Sequence, residues 1–256
     1  MKQKSNRDLS AFTLLEVIVI IVIIALLALV FLPTRHRRSS NFAVRISCVN
    51  NLKEIGTAYH LWAGDNGDLV PSQQTVASNG WREFLTNANQ GTICWTNYVI
   101  MQNELGQSPK LLICPSDERL PAQDFTNKFD NSNISYFVGV SANVNQFLSI
   151  QGGDRNLGPG IVPTNDYGYS PRTGKGNDVA IPTNSSKGPV LWSLKMHSMD
   201  IAKSSDGAGN ILFGDGSAQQ VSTASFNQQW LPNADPTTTW PAGHIPATPS
   251  IRLVFP

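Results

Sequence analysis

The strongest hydrophobic pattern in the chain is an apolar run close to its start. Residues 12–32 contain only two polar side chains, Thr13 and Glu16, and a short basic leader precedes them. A helix of that length rises about 30 Å, which matches the hydrocarbon core of a bilayer. The pattern therefore predicts a transmembrane helix over residues 12–33. The carboxylate of Glu16 is costly to bury there, and we expect another copy of the chain to supply its partner.

Three interpretations of this run compete. A removable secretory signal needs small residues in an A-x-A-like pattern behind the apolar run, and Ala28-Leu29-Val30 fits that pattern poorly. A plain membrane anchor explains the length of the run but not Glu16 or the short leader. The third is a prepilin signal, in which cleavage falls before the apolar run: the string A-F-T-L-L-E at residues 11–16 resembles the processing site of type IV prepilins and type II secretion pseudopilins.

This resemblance implies a processing and assembly pathway. Residues 1–11 would be a prepilin leader, and a prepilin peptidase would cut between Ala11 and Phe12 and methylate the new amine of Phe12. Glu16 would neutralise the Phe12 amine of a neighbouring subunit during assembly. Pro33 would kink the helix, as a proline near this position does in pilins.

A second helical pattern follows the apolar run. From Asn41 to Ala63 apolar side chains recur at helical spacing, and the stripe consists of Leu52, Ile55, Tyr59 and Trp62. We predict an amphipathic helix over residues 34–63 that continues into a globular head over 64–256. The predicted fold class is α+β and pilin-like: one long N-terminal helix, half transmembrane and half amphipathic, packs on a small antiparallel sheet with long loops.

The head carries weaker patterns. Residues 133–140 alternate as a strand does, and Asp215-Gly216 between two apolar runs is a strong hairpin signal. The stretch 152–189 is rich in glycine and proline and predicts a long loop, whereas residues 251–255 predict an edge strand.

Segments of the head also resemble a second, larger group. These are pseudopilin-like proteins of Planctomycetes and Verrucomicrobia with a C-terminal H-x9-DG region. The matching stretches are residues 48–56, 61–68, 113–117, 133–139 and 209–217. Ser205 occupies the position of the group's histidine, so this chain departs from the motif there.

Composition narrows the choice of function. The formal net charge is +1 and charged residues make up only 14% of the chain, so a nucleic-acid partner is not expected. Of the three cysteines, Cys48 and Cys114 are the pair that we favour for a disulfide. A Cys94–Cys114 pair and three buried thiols remain open alternatives.

No catalytic motif is present in the sequence: it has no G-x-S-x-G, no H-E-x-x-H and no P-loop. The four histidines have no partner at metal-ligand spacing. Asp65, Asp68 and Asp215 are weak candidates for calcium ligands, because aspartates next to glycine are ordinary turn residues. We therefore expect no enzymatic activity and no cofactor, with calcium as the one candidate ion.

The sequence thus predicts a structural subunit of a type II secretion pseudopilus or a type IV pilus-like fibre. Its expected partners are the prepilin peptidase, other pilin-like subunits, the inner-membrane assembly platform and membrane lipid. The expected location is the inner membrane, with a single pass, a cytoplasmic N-terminus and a periplasmic head, and later the fibre itself. The alternative is a membrane-tethered head that binds a glycan or exported cargo without forming a fibre.

Overall fold

The chain divides into two compact units, Met1–Ser40 and Asn41–Pro256. The structure, a computed structural model, describes residues 13–31, 37–86, 93–160, 166–170, 174–184, 190–198, 207–237 and 246–256. The predicted leader and Pro33 lie outside these ranges.

Two helices come first in the described part of the chain. Helix α1 spans Leu14–Phe31 and helix α2 spans Arg37–Asp65. Thr13 and Glu16 form a reciprocal capping box at the start of α1: the Glu16 carboxylate accepts a hydrogen bond from the Thr13 N–H at 2.9 Å, and the Glu16 N–H donates to the Thr13 hydroxyl at 3.3 Å. This cap lies where α1 begins, at Leu14.

The predicted long N-terminal helix with a transmembrane half is wrong. In the described part of the chain no helix is both long and apolar enough to cross a membrane. Helix α1 has 18 residues, about 27 Å of rise, and includes Glu16, whereas a span needs about 20 apolar residues. Helix α2 is longer but carries Arg45, Lys53 and Glu54. This finding contradicts the predicted pilin-like fold class, the predicted transmembrane segment and the predicted single-pass location in the inner membrane.

The second unit is built on a seven-stranded antiparallel sheet. Its spatial order is β4-β9-β1-β2-β7-β6, with β8 also paired to β7, and β3 and β5 form a separate two-stranded ribbon. The strands are β1 Tyr136–Gly139, β2 Ile150–Asp154, β3 Leu157–Pro159, β4 Asn177–Pro182, β5 Val190–Trp192, β6 His197–Ser198, β7 Gly207–Phe213, β8 Ala218–Ser222 and β9 Ser250–Phe255. Among the described residues there are also two short α-helices, α3 Cys94–Ile100 and α4 Thr223–Ser225, and several single turns of 3-10 or π-helix.

The central strands β9, β1, β2 and β7 are buried on both faces, whereas β4 and β8 are partly exposed. In β1, Tyr136 and Val138 join the core formed with α2, whereas Phe137 joins a second core on the opposite face. Helix α2 contributes the whole predicted stripe to the first core, namely Leu52, Ile55, Tyr59 and Trp62. The second core contains Trp192 and Phe226, which lie 5.8 Å apart between ring centroids. Every residue of β1 and β9 is buried, as expected for strands that are covered on both faces.

Several head predictions are settled by this topology. The hairpin is confirmed, since β7 and β8 pair from Ala208↔Ser222 to Leu212↔Ala218. The predicted loop over residues 152–189 is wrong in part, because β3, β4 and the end of β2 lie within it. Residues 251–255 are a strand, but not an edge strand: β9 pairs with β4 on one side and with β1 on the other.

Helix α2 approaches the sheet most closely at Gly56. A Cβ atom there would lie 2.8 Å from Leu212 Cδ1 and 3.0 Å from the Cα of Gly216 in the β7–β8 turn. Real Cβ contacts do not come this close, so any larger residue has to displace the helix or the hairpin.

We predict that Gly56→Ala lowers the free energy of unfolding by about 1–2 kcal/mol, because overpacking outweighs the higher helix propensity of alanine. Gly64→Ala is the matched control in the same helix. A Cβ at Gly64 meets no atom within 4 Å, so this variant should gain up to about 1 kcal/mol. Urea unfolding followed by circular dichroism measures both, and equal stabilisation by the two variants would refute the close approach.

Candidate functional site

A disulfide joins α2 to the loop that leads into β1. Cys48 of α2 is bonded to Cys114, which follows the short 3-10 helix Pro109–Leu112. This is the pairing that the sequence analysis favoured. Closing a loop of 66 residues removes unfolded-state entropy worth about 4 kcal/mol. Cys94 is a buried free thiol, and burial raises its pKa.

His197 lies beside this disulfide. Strand β6 pairs His197 with Ala208 of β7, and this pairing turns the ring into the interior, where only 3% of the residue is exposed. Its Nε2 atom is 3.3 Å from Cys114 Sγ and 3.5 Å from Asp154 Oδ2. Its Nδ1 atom is 3.4 Å from Ser116 Oγ. Three elements distant in sequence thus meet at one imidazole.

Burial makes this group of side chains uncharged at neutral pH. Desolvation, assisted by the positive charge of Arg45, lowers the pKa of His197 to about 4. Desolvation also raises the pKa of Asp154 to about 8, although Asn210 donates two hydrogen bonds to Oδ2. The other oxygen, Asp154 Oδ1, is buried and accepts no hydrogen bond from the described residues. At pH 7 the imidazole and the carboxyl group are therefore both neutral.

An ion pair next to the cluster holds the loop in place. Arg155 binds Asp117 through two hydrogen bonds of 2.7 and 2.8 Å, and its guanidinium lies 3.3 Å from the ring centroid of Tyr167. Such a bidentate contact fixes both position and orientation. Arg119 of the same loop donates to the carbonyl oxygens of Asn131 and Ile134. The loop therefore presents Cys114 and Ser116 to His197 from a rigid frame.

The order Ser116–His197–Asp154 resembles a hydrolytic triad only in residue types. A triad aspartate must be ionised to stabilise the imidazolium, whereas Asp154 is held neutral. Ser116 also lies at Nδ1 and Asp154 at Nε2 of His197, which reverses the triad arrangement. The expectation that the chain is not an enzyme stays a prediction.

A metal ion is better matched by the donor set. One ligand atom each from Cys48, Cys114 and His197 lies within 4.8 Å of the others, and all three residues are buried. While the disulfide is intact, its sulfurs are not thiolates and bind metal poorly. Sequence spacing missed this group because its members are separated by 66 and 83 positions. The sequence showed two cysteines and a histidine, but no short motif that would indicate that they lie together in the fold.

The other predicted site residues are dispersed. Ala11, Phe12, Pro33 and Ser205 lie outside the described residues. Asp215 accepts a hydrogen bond from the Ser217 N–H and forms the hairpin turn. Within the described ranges Asp65, Asp68 and Asp215 join no group of three metal-ligand side chains. Calcium ligation by them stays a prediction without support.

Helix α1 presents a different kind of surface. Its twelve large aliphatic side chains between Leu14 and Leu27 are each 45–79% exposed, and they lie all round the helix. Glu16 is fully exposed, and its hydrogen bonds from the backbone and side chain of Thr13 lower its pKa, so it is a carboxylate. A helix that is apolar on every side is stable only when other apolar matter covers it.

Comparison with models of protein families, with curated proteins and with solved structures finds no match for this chain. The resemblance drawn from residues 11–16 and from the head therefore stays a prediction.

The neutral pair at His197 and Asp154 predicts an unusual pH dependence of stability. His197 has a folded pKa below its usual 6.5, so its contribution is complete above pH 6.5 and is lost as the pH falls to about 4. Asp154 has a folded pKa above its usual 3.8, so its contribution is complete below pH 3.8 and is lost as the pH rises to about 8. The opposite slopes, each about 1.4 kcal/mol per pH unit, cancel between pH 4 and 6.5.

Above pH 6.5 only Asp154 still titrates, and we expect the free energy of unfolding to fall by about 2 kcal/mol between pH 6.5 and 8. Asp154→Asn should remove this fall and reveal a rise between pH 4 and 6.5. Urea titrations of the oxidised, metal-free protein across this range measure both effects. A variant whose curve parallels that of the wild type would contradict the assignment.

Proposed function

We propose that this chain is a structural subunit that assembles with further copies of itself into a pseudopilus or pilus-like fibre. The observation that supports the proposal is the exposed surface of α1, whose twelve large aliphatic side chains between Leu14 and Leu27 are interrupted by the single charge of Glu16. In the fibre, α1 helices from many copies pack together in the centre and the units over residues 41–256 lie outside.

Other copies of α1 fit this surface because, beyond Glu16 in the first turn, every side of the helix is apolar. A groove on one partner covers a single stripe, whereas neighbours in a helical bundle cover the whole circumference. Burying the exposed half of twelve aliphatic side chains contributes on the order of 10 kcal/mol per subunit before the entropy of association is subtracted. Exposed large apolar side chains of the second unit are fewer and scattered, for example Leu120 and Phe147. Assembly through α1 is therefore favoured over assembly through the head.

The charge of Glu16 would fix how far neighbouring α1 helices are shifted along one another in the bundle. The Glu16 carboxylate accepts hydrogen bonds from the N–H and hydroxyl groups of Thr13. Both donors are neutral, so the negative charge of Glu16 is not compensated by them. Inside a bundle that charge requires a cation. Cleavage between Ala11 and Phe12 by a prepilin peptidase would create an α-amine four residues before Glu16 in every subunit, and the amine of one copy would meet the carboxylate of the next.

The alternative, a glycan-binding head without a fibre, gains no support from the tryptophans. Trp62, Trp81 and Trp192 are buried in the cores and offer no face for stacking. Trp95 and Trp230 are partly buried, and Trp240 lies outside the described residues.

The first test concerns processing and the apolar surface. Full-length protein co-produced with a prepilin peptidase should begin at Phe12 by mass spectrometry and form fibres visible by electron microscopy. Ile21→Asn should abolish fibres, because it places a buried polar group in the bundle. Leu120→Asn, at an exposed apolar position of the second unit, is the control and should assemble normally. A mature N-terminus at Met1 or beyond residue 31, or fibres in the Ile21 variant, would refute the proposal.

The second test separates the two roles of Glu16. Glu16→Gln keeps an acceptor for the Thr13 N–H but removes the charge, Glu16→Ala removes both, and Thr13→Ala removes only the hydroxyl cap. If the charge pairs with an amine, both Glu16 variants should give few or no fibres while Thr13→Ala assembles. Mass spectrometry must show normal processing in all three. Fibres in Glu16→Gln together with their loss in Thr13→Ala would show that the cap alone matters.

A further inference from the structure

We propose that reduction of the Cys48–Cys114 disulfide converts its surroundings into a zinc site, with the two thiolates and His197 Nε2 as ligands. This inference is independent of fibre assembly. It rests on the arrangement of three buried side chains that the proposed fibre does not use.

The ligand geometry is close to that required. Across a tetrahedral zinc ion, a cysteine sulfur and a histidine nitrogen are about 3.6 Å apart, and two sulfurs about 3.8 Å. Cys114 Sγ and His197 Nε2 are 3.3 Å apart with no metal present. After reduction, the two sulfurs repel as thiolates, and a small rotation of Cys48 on α2 opens the space for the ion.

The surroundings select the correct nitrogen of His197. With the ring proton on Nδ1, that atom donates to Ser116 Oγ at 3.4 Å, and Nε2 presents its lone pair to the sulfurs. Metal-bound histidines commonly have their second nitrogen held in this way.

Asp154 borders the site without joining the ligand group. Its Oδ2 lies 3.5 Å from His197 Nε2, but the ligand atoms that all lie within 4.8 Å of one another belong to Cys48, Cys114 and His197 alone among the described residues. Three protein ligands leave the fourth tetrahedral position of the zinc ion to water.

The chemistry balances with a dithiol as the reductant. The dithiol transfers two electrons and two protons to the Cys48–Cys114 bond and becomes a cyclic disulfide, which leaves two protein thiols. Binding of Zn²⁺ then releases the two thiol protons. The same residues would thus form a zinc site in a reducing compartment and a disulfide in an oxidising one.

The experiment uses the full chain in a non-ionic detergent that covers α1. The protein is reduced by a dithiol under anaerobic conditions, freed of the dithiol by gel filtration, and titrated with Co²⁺ and then with Zn²⁺. We expect one Co²⁺ per chain with the d–d absorption of a tetrahedral thiolate site, and its displacement by Zn²⁺. The oxidised chain should bind neither ion at this site.

Matched variants assign the ligands. Cys48→Ala and His197→Gln should each weaken binding by at least about a hundredfold, and Ser116→Ala by about tenfold. Cys94→Ala and His60→Gln, which alter a free thiol and an exposed histidine, should bind as the wild type does. Equal affinity in His197→Gln, or a need for Cys94, would overturn the proposal.

Folding is monitored by near-ultraviolet circular dichroism. If the reduced chain loses its native spectrum, recovery on addition of Zn²⁺ supports the site. Failure of Zn²⁺ to bind a native reduced chain, or to restore an unfolded one, contradicts it.

Discussion

The close contact between α2 and the central sheet is the constraint on which the rest of this structure depends. At Gly56 the helix comes so near to Leu212 and the β7–β8 turn that no side chain fits between them. This distance buries the apolar stripe of α2 and brings Cys48, two turns earlier, to Cys114. The loop that holds Cys114 also carries the ion pair and the contacts to His197. One helix–sheet distance therefore positions both the core and the polar cluster.

Buried ionisable side chains of the second unit avoid an uncompensated charge in two ways. Arg155 and Asp117 remain an ion pair because their bidentate geometry offsets the loss of hydration. His197 and Asp154 meet no such partner and stay neutral instead. The ligand atoms of His197, Cys48 and Cys114 all lie within 4.8 Å of one another, which is the arrangement that the proposed zinc site uses.

Helix α1 differs from these buried groups, because its large aliphatic side chains are mostly exposed within its own unit. The sequence led us to expect that Glu16 finds its partner in another copy, but the structure supplies hydrogen-bond donors from Thr13 in the same chain. These donors explain the helix start without compensating the charge. The capping role and the proposed pairing role of Glu16 are thus compatible, since one concerns hydrogen bonds and the other concerns charge.

The sequence by itself determined the features that depend on neighbours along the chain. These are the apolar run of α1, the stripe of α2 and the hairpin at Asp215-Gly216, because helical periodicity and turn chemistry are local. Only the tertiary structure decided that residues 152–189 contain strands, because their glycines and prolines are typical of loops. It also decided that β9 lies inside the sheet, because the sequence of a strand does not indicate which strands pair with it. It also decided the length of α1, which has 18 residues. The cluster of Cys48, Cys114 and His197 belongs to this second class, because folding alone brings such distant residues together.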